Sequence, residues 1–137
     1  MKTYITQRKP QFRSIRNSNG TTTIECLIVA QLNVAKLQKH FPYLNIKALC
    51  HSVMPRYHVF SVHRGYATCS LNDKFDESKG KHLAESRAKT KMYSHYTEMF
   101  KHIQTKLKKN WLGMTSIRTK VLSCFAHEIN HVSELVK

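Results

Sequence analysis

The hydrophobic pattern changes period once along the chain. Up to Cys69, apolar residues come in short β-branched runs or alternate with polar ones; beyond it they recur every three or four positions. Residues 21–30 (TTTIECLIVA) read as a strand. Before them, Tyr4, Ile5, Phe12 and Ile15 are sparse apolar anchors, enough for a short edge strand, and Asn-Ser-Asn-Gly at 17–20 is a turn. Asn33 is a good N-cap for a short helix through Val34 and Leu37 to His40, and Pro42 stops it. Three more strands are expected at 46–53, 57–62 and 66–69, with Met54-Pro55-Arg56 and His63-Arg64-Gly65 as the turns between them. His58, Phe60 and Val62 alternate with Val59, Ser61 and His63, as in a sheet with one wet face; this places His58 and His63 on opposite faces, unable to pair.

From Glu77 onward, Ala84, Ala88, Met92, Tyr96, Met99, Phe100, Ile103 and Leu107 fall on one stripe, with Lys79, Arg87, Lys91, Lys101 and Lys108 near the opposite face. This is a long amphipathic helix. Asp73 and Asp76 resemble an acidic cap, and Asp76 and Glu77 suit the positive end of its dipole. Asn110 and Gly113 are expected to end it. A second helix follows from Thr115, with Ile117, Val121, Phe125, Ile129, Val132 and Val136 turned inward. The expected fold is therefore α+β: a small antiparallel sheet of three to four strands packed against a long amphipathic helix and a C-terminal helix. Residues 1–20 form a basic N-terminal arm, and 21–137 a single domain.

Charge adds a functional direction. The 137 residues carry 23 Lys+Arg against 8 Asp+Glu, a net charge of +15. Such an excess opposes compaction by self-repulsion, and its commonest use is to bind a polyanion, chiefly nucleic acid. The excess is spread out: ten basic residues and one acid, Glu25, lie before residue 73. That favours a broad surface over a tail. The candidate phosphate contacts are Lys2, Arg8, Lys9, Arg13 and Arg16 in the arm, and Lys79, Arg87, Lys91, Lys101 and Lys108 on the helix. Tyr4, Phe12, Tyr57 and Tyr66 would offer stacking surfaces if strand faces are open, although core packing is favoured for Tyr57 and Tyr66.

Other classes find less support. No apolar run approaches the roughly 20 residues of a membrane span, so no membrane partner is expected. The basic start MKTYITQRKPQFR lacks the apolar segment of a secretory signal. Cys26, Cys50, Cys69 and Cys124 form no Cys-x-x-Cys pair, and the first three fall in strand-like segments. They read as reduced core thiols of a cytoplasmic protein. No cofactor is called for. His127-Glu128-Ile129-Asn130-His131 matches H-E-x-x-H on a helix, the arrangement in which two histidines hold zinc and the glutamate acts as general base. Only six residues follow His131, leaving no room for the usual downstream ligand, and the apolar stripe turns both histidines toward solvent. His127 and His131, with Cys124 beside them, are thus weak metal candidates, and a hydrolase is the least favoured reading. There is no phosphate-binding glycine loop, no G-x-S-x-G and no paired-carboxylate signature.

Residues 65–93 (GYATCSLNDKFDESKGKHLAESRAKTKMY) resemble a stretch found in small bacteriophage and mobile-element proteins. That pattern has a cysteine-bearing strand, an Asp-x-Phe-Asp turn, a glycine in the first helical turn and a basic, alanine-containing helix. The matching residues are Gly65, Ala67, Cys69, Asp73, Phe75, Asp76, Gly80, Ala84, Arg87 and Ala88, while Leu71 stands where the pattern often has proline. The resemblance implies a phage-type protein acting in a bacterial cytoplasm. A fainter likeness is to the double-stranded-RNA-binding domain, whose order of short helix, three strands and helix is similar to that expected over 34–109. Ser78-Lys79-Gly80-Lys81 resembles its basic helix start, whereas Asp73, Asp76 and Glu77 put negative charge where phosphate would sit. The expected function is sequence-tolerant binding of DNA or RNA through phosphates. The alternative is an anti-defence protein that binds and inhibits a host nucleic-acid enzyme. The C-terminal helix with its histidine cluster is a candidate homodimer face.

Overall fold

The computed structural model describes residues 4–69 and 76–135. Its element order is β1 (Ile5–Gln7), β2 (Gln11–Arg16), β3 (Thr22–Leu32), α1 (Val34–His40), α2 (Ile46–Ser52), β4 (Phe60–Cys69) and α3 (Glu77–Leu135). The fold is α+β, with a four-stranded antiparallel sheet and a long helix. The chain divides into two compact units, Met1–Phe100 and Lys101–Lys137.

β3 is the axis of the sheet. β4 pairs along one of its edges from Thr22 to Gln31, and β1 and β2 share the other. Ile5 pairs with Leu32 and Gln11 with Leu27, so Arg8, Lys9 and Pro10 stand opposite only Ile28 and Val29. This is a bulge in one interrupted strand, and Pro10 sits where a missing N–H is tolerated. The basic arm supplies two short strands, β1 and β2, where a short edge strand is expected. A tight loop joins it to β3: the Gly20 N–H bonds the Asn17 carbonyl, the Asn17 N–H bonds that of Thr21, and Gly20 has φ 83°. Glycine is what that left-handed position requires.

Alternate residues of β3 build the core. Ile24, Cys26, Ile28, Ala30 and Leu32 are buried on one face, against the α3 stripe Ala84, Ala88, Met92, Tyr96 and Met99. Asp76 caps that helix by accepting from the Lys79 N–H at 3.1 Å; Asp73 lies outside the described residues. Asn33 caps α1 as its type suggests, accepting from Lys36 N–H.

Three expectations need correction. Residues 46–52 are helical: Asn45 caps Ala48 N–H, and Ile46, Cys50 and Val53 are buried at helical spacing. Gln38 braces the connection, its Oε1 accepting from Ile46 N–H while its Nε2 donates to the Phe41 and Leu44 carbonyls. A short apolar run is ambiguous by period, and the cap decides it. With this helix, and with the last two expected strands joined as β4, one strand instead of three separates α1 from α3, so the double-stranded-RNA-binding order is not the order of this chain. Second, His63-Arg64-Gly65 is no turn but the middle of β4. Third, α3 continues through Asn110 and Gly113 to Leu135. An exposed glycine in a helix costs only about 1 kcal/mol. Thr115 and Thr119 return their hydroxyls to the carbonyls of Trp111 and Thr115. The residues expected to turn inward from a separate helix are exposed, Ile117, Val121, Phe125, Ile129 and Val132 among them; Val136 lies outside the described residues.

Gly65 explains the misread turn. A Cβ there would fall on the Ala84 carbonyl oxygen and the Ala88 nitrogen, and 3.1 Å from Ala88 Cα. The strand runs against the helix backbone, which isolated strand glycines often signal. Gly65→Ala is therefore expected to lower the unfolding free energy by about 3 kcal/mol. Chemical denaturation checks this: an unchanged midpoint would show that helix and strand separate freely.

Candidate functional site

The helix closes one face of the sheet; the other bears the unusual residues. On β4, the even positions Phe60, Val62, Arg64, Tyr66 and Thr68 point away from α3, and all are exposed. Phe60 is 52% exposed, Val62 46% and Tyr66 41%. Pairing sets each beside a β3 residue: Phe60 by Gln31, Val62 by Val29, Arg64 by Leu27, Tyr66 by Glu25 and Thr68 by Thr23. On the far side of β3, Arg13 lies beside Glu25 and Gln11 beside Leu27. The face is thus an aromatic and aliphatic floor crossed by polar rows. Phe60 and Tyr66 stand six residues apart, about 20 Å along the strand.

The row Arg13–Glu25–Tyr66 is electrostatically tied. Glu25 is buried, and Arg13 Nη2 lies 3.2 and 3.3 Å from its two carboxylate oxygens. At the outer edge of β4, Arg87 donates to the Tyr66 carbonyl at 2.6 Å, and Lys91 Nζ sits 5.6 Å from the Tyr66 ring centre. A cation over an aromatic face is attracted by its quadrupole. Among the described residues, no strand pairs with this edge of β4.

Behind this face, polar groups lock β4 to α3. The Tyr96 hydroxyl donates to the Val59 carbonyl at 3.0 Å and lies 2.8 Å from Ser61 Oγ, which lies 2.8 Å from His63 Nε2. Tyr96 has one proton and gives it to Val59, so Ser61 donates to Tyr96 and accepts from His63 Nε2–H. Burial pushes the Tyr96 hydroxyl upward in pKa, partly offset by the Ser61 bond. Burial holds the His63 imidazole below the usual histidine range, aided by His95, whose ring centre is 5.4 Å away, and by Lys91. His95 Nε2 also lies 3.2 Å from the His58 carbonyl oxygen. His95 thus meets both the His58 backbone and the His63 ring.

The predicted cations do not converge on one spot. Lys2 lies outside the described residues. Arg8 and Lys9 are exposed at the bulge. Arg13 and Arg16 are both exposed but on opposite faces of β2. Lys79 is exposed at the start of α3, Arg87 and Lys91 meet at Tyr66, and Lys101 and Lys108 belong to the second unit. Of the proposed stacking residues, Tyr57 is buried; Tyr4 packs on His40 with Lys36 Nζ 5.0 Å from its ring centre; Phe12 is on the helix side of the sheet, near Lys81. Tyr66 is the reverse of its expectation: it is open. Phe60 and Arg64 were missed. The signal was the i, i+2 series Phe60, Val62, Arg64, Tyr66, facing small or polar Ser61, His63, Gly65 and Ala67, hidden by treating Gly65 as a turn.

Burial raises the Cys26 and Cys50 thiols above their ordinary pKa, which makes them poor nucleophiles. Cys69 is half-buried and Cys124 exposed. His127 and His131 are exposed on α3, and no group of three His, Cys, Asp or Glu among the described residues is placed to hold a metal ion. No helix among the described residues is long and apolar enough to cross a membrane. Comparison with protein-family models, curated proteins and solved structures returns no match.

The His63 environment gives a pH signature. Its native pKa lies below the unfolded value, so the unfolded state binds more protons between the two. Stability is therefore complete above about pH 6.5 and falls as pH drops through that value toward the native pKa. Comparing denaturation midpoints of the wild type and His63→Gln from pH 7.5 to 5 should show a shallower acid loss in the variant; parallel curves would contradict it.

Proposed function

We propose that this chain binds single-stranded nucleic acid, with little sequence preference, across the open face of its sheet. The observation that carries the reading is the exposure of Phe60 and Tyr66 on one strand face, with Arg64 between them and Lys91 at the Tyr66 ring. Unpaired bases stack on aromatic side chains whatever their identity, while phosphates are met by cations alongside. A duplex hides its base faces and has no use for such a floor. The net charge of +15 supplies the long-range attraction. Arg13 contributes less than its charge suggests, because Glu25 already occupies it. Arg64, Arg8 and Lys9 are better placed to meet phosphate.

The function is that of a phage-type protein in a bacterial cytoplasm, a setting that suits unpaired Cys26 and Cys50. Fluorescence anisotropy with short DNA and RNA oligomers tests it. Phe60→Ala and Tyr66→Ala should each weaken binding by about 1–3 kcal/mol. Arg64→Ala should lower the salt slope by about 0.7, the single-strand value for one phosphate. Absence of binding to any oligomer at low salt would overturn the reading in favour of a host-protein target, and tighter binding to duplex than to single strand would overturn the stacking mode.

A further inference from the structure

The helical segment from Trp111 to Leu135 leaves a largely apolar seam exposed. Trp111, Met114, Arg118, Val121, Phe125, Glu128, Val132 and Leu135 follow one another at alternating steps of three and four, the a and d positions of a heptad pattern. Its six apolar members are each between 58% and 73% exposed, and Ile117, Leu122 and Ile129 widen the stripe. The seam is about 36 Å long at 1.5 Å per residue. An exposed apolar stripe of this extent marks an interaction surface.

Two charges interrupt the seam, and they identify the occupant. Arg118 and Glu128 have opposite signs and lie five residues on either side of Ser123. We propose that the seam pairs antiparallel with a second copy of this chain, about a two-fold axis at Ser123. That register sets Arg118 against the partner's Glu128, twice by symmetry. It also sets Trp111 against the partner's Leu135, Met114 against the partner's Val132 and Val121 against the partner's Phe125. Every seam residue then meets one of matching character. Antiparallel coiled coils place a against d in just this way.

The surrounding charge agrees. Within the paired stretch, residues 111–122 carry Arg118 and Lys120 with no acid, while 124–135 carry Glu128 and Glu134 with no Lys or Arg. Antiparallel pairing lays the basic half over the acidic half and opposes the helix dipoles. Parallel pairing would stack Arg118 on Arg118 and Glu128 on Glu128. A charged residue in a seam is the usual device for fixing register and orientation, by penalising the wrong arrangement.

Sedimentation velocity on the full chain, freed of nucleic acid by nuclease and high salt, tests the proposal. The wild type should sediment as a dimer of the 16.0 kDa chain. Arg118→Glu and Glu128→Arg should each weaken the dimer at least tenfold, and the double variant Arg118→Glu/Glu128→Arg should restore it to within a few-fold. Circular dichroism verifies that helix content is kept in each. A monomeric wild type at about 100 μM would overturn the pairing, since such a complex would be weaker than about 5 kcal/mol. Single variants that dimerise normally, or a helical double variant that stays dissociated, would overturn the antiparallel register.

Discussion

The contact between Gly65 and the backbone of α3 at Ala84 and Ala88 determines what the rest of the first unit can do. It works because three residues in contact have almost no side chain, so the helix lies directly against β4. Met92, Tyr96 and Met99 then reach the even residues of β3, and one sheet face is sealed. The hydrogen-bonded series from His63 through Ser61 and Tyr96 to Val59 holds the same interface farther along, and Arg87 holds it at Tyr66. Gly65, Ala84, Arg87 and Ala88 lie together at this interface. Their part here is structural: they fasten a strand to a helix.

Sealing one face leaves the other open, and its composition is not that of an ordinary wet surface. A sheet face meant only for water would carry polar residues at every other position. Here Phe60, Val62 and Tyr66 are exposed, with Leu27 and Val29 half-buried beside them. Glu25 would place an unfavourable negative charge in the middle of a basic surface, but Arg13 neutralises it and the pair makes one polar row in the floor. The remaining cations stand around that floor, not in a cluster.

Much of this was legible in the sequence where local chemistry and pattern agreed. The limits of α1 follow from Asn33 and the stop before Pro42, and the α3 stripe from Ala84 to Met99 follows from its period. The errors arose where a residue's local preference was overruled by a contact distant in sequence. Gly65 has the chemistry of a turn, yet is glycine because the α3 backbone at Ala84 and Ala88 leaves no room for a Cβ. Residues 46–52 have strand composition but are fixed as helix by the Asn45 cap and the Gln38 brace. Gly113 has the chemistry of a stop, yet the helix runs through it, and a Cβ there would meet nothing within 4 Å among the described residues. A turn at Gly65 would conceal the open face, since cutting β4 there separates Phe60 and Val62 from Tyr66.

In the proposed binding mode the open face, and Phe60 and Tyr66 in particular, lies against the bases of a single strand. Photo-crosslinking tests it most directly. A short oligomer bearing iodinated uracil is bound at low salt and irradiated, and the adducts are mapped by mass spectrometry. The account predicts adducts at Phe60 and Tyr66, lost when excess unlabelled single strand competes. Adducts confined to residues 101–135 or to the outer side of α3, with none on β4, would contradict it.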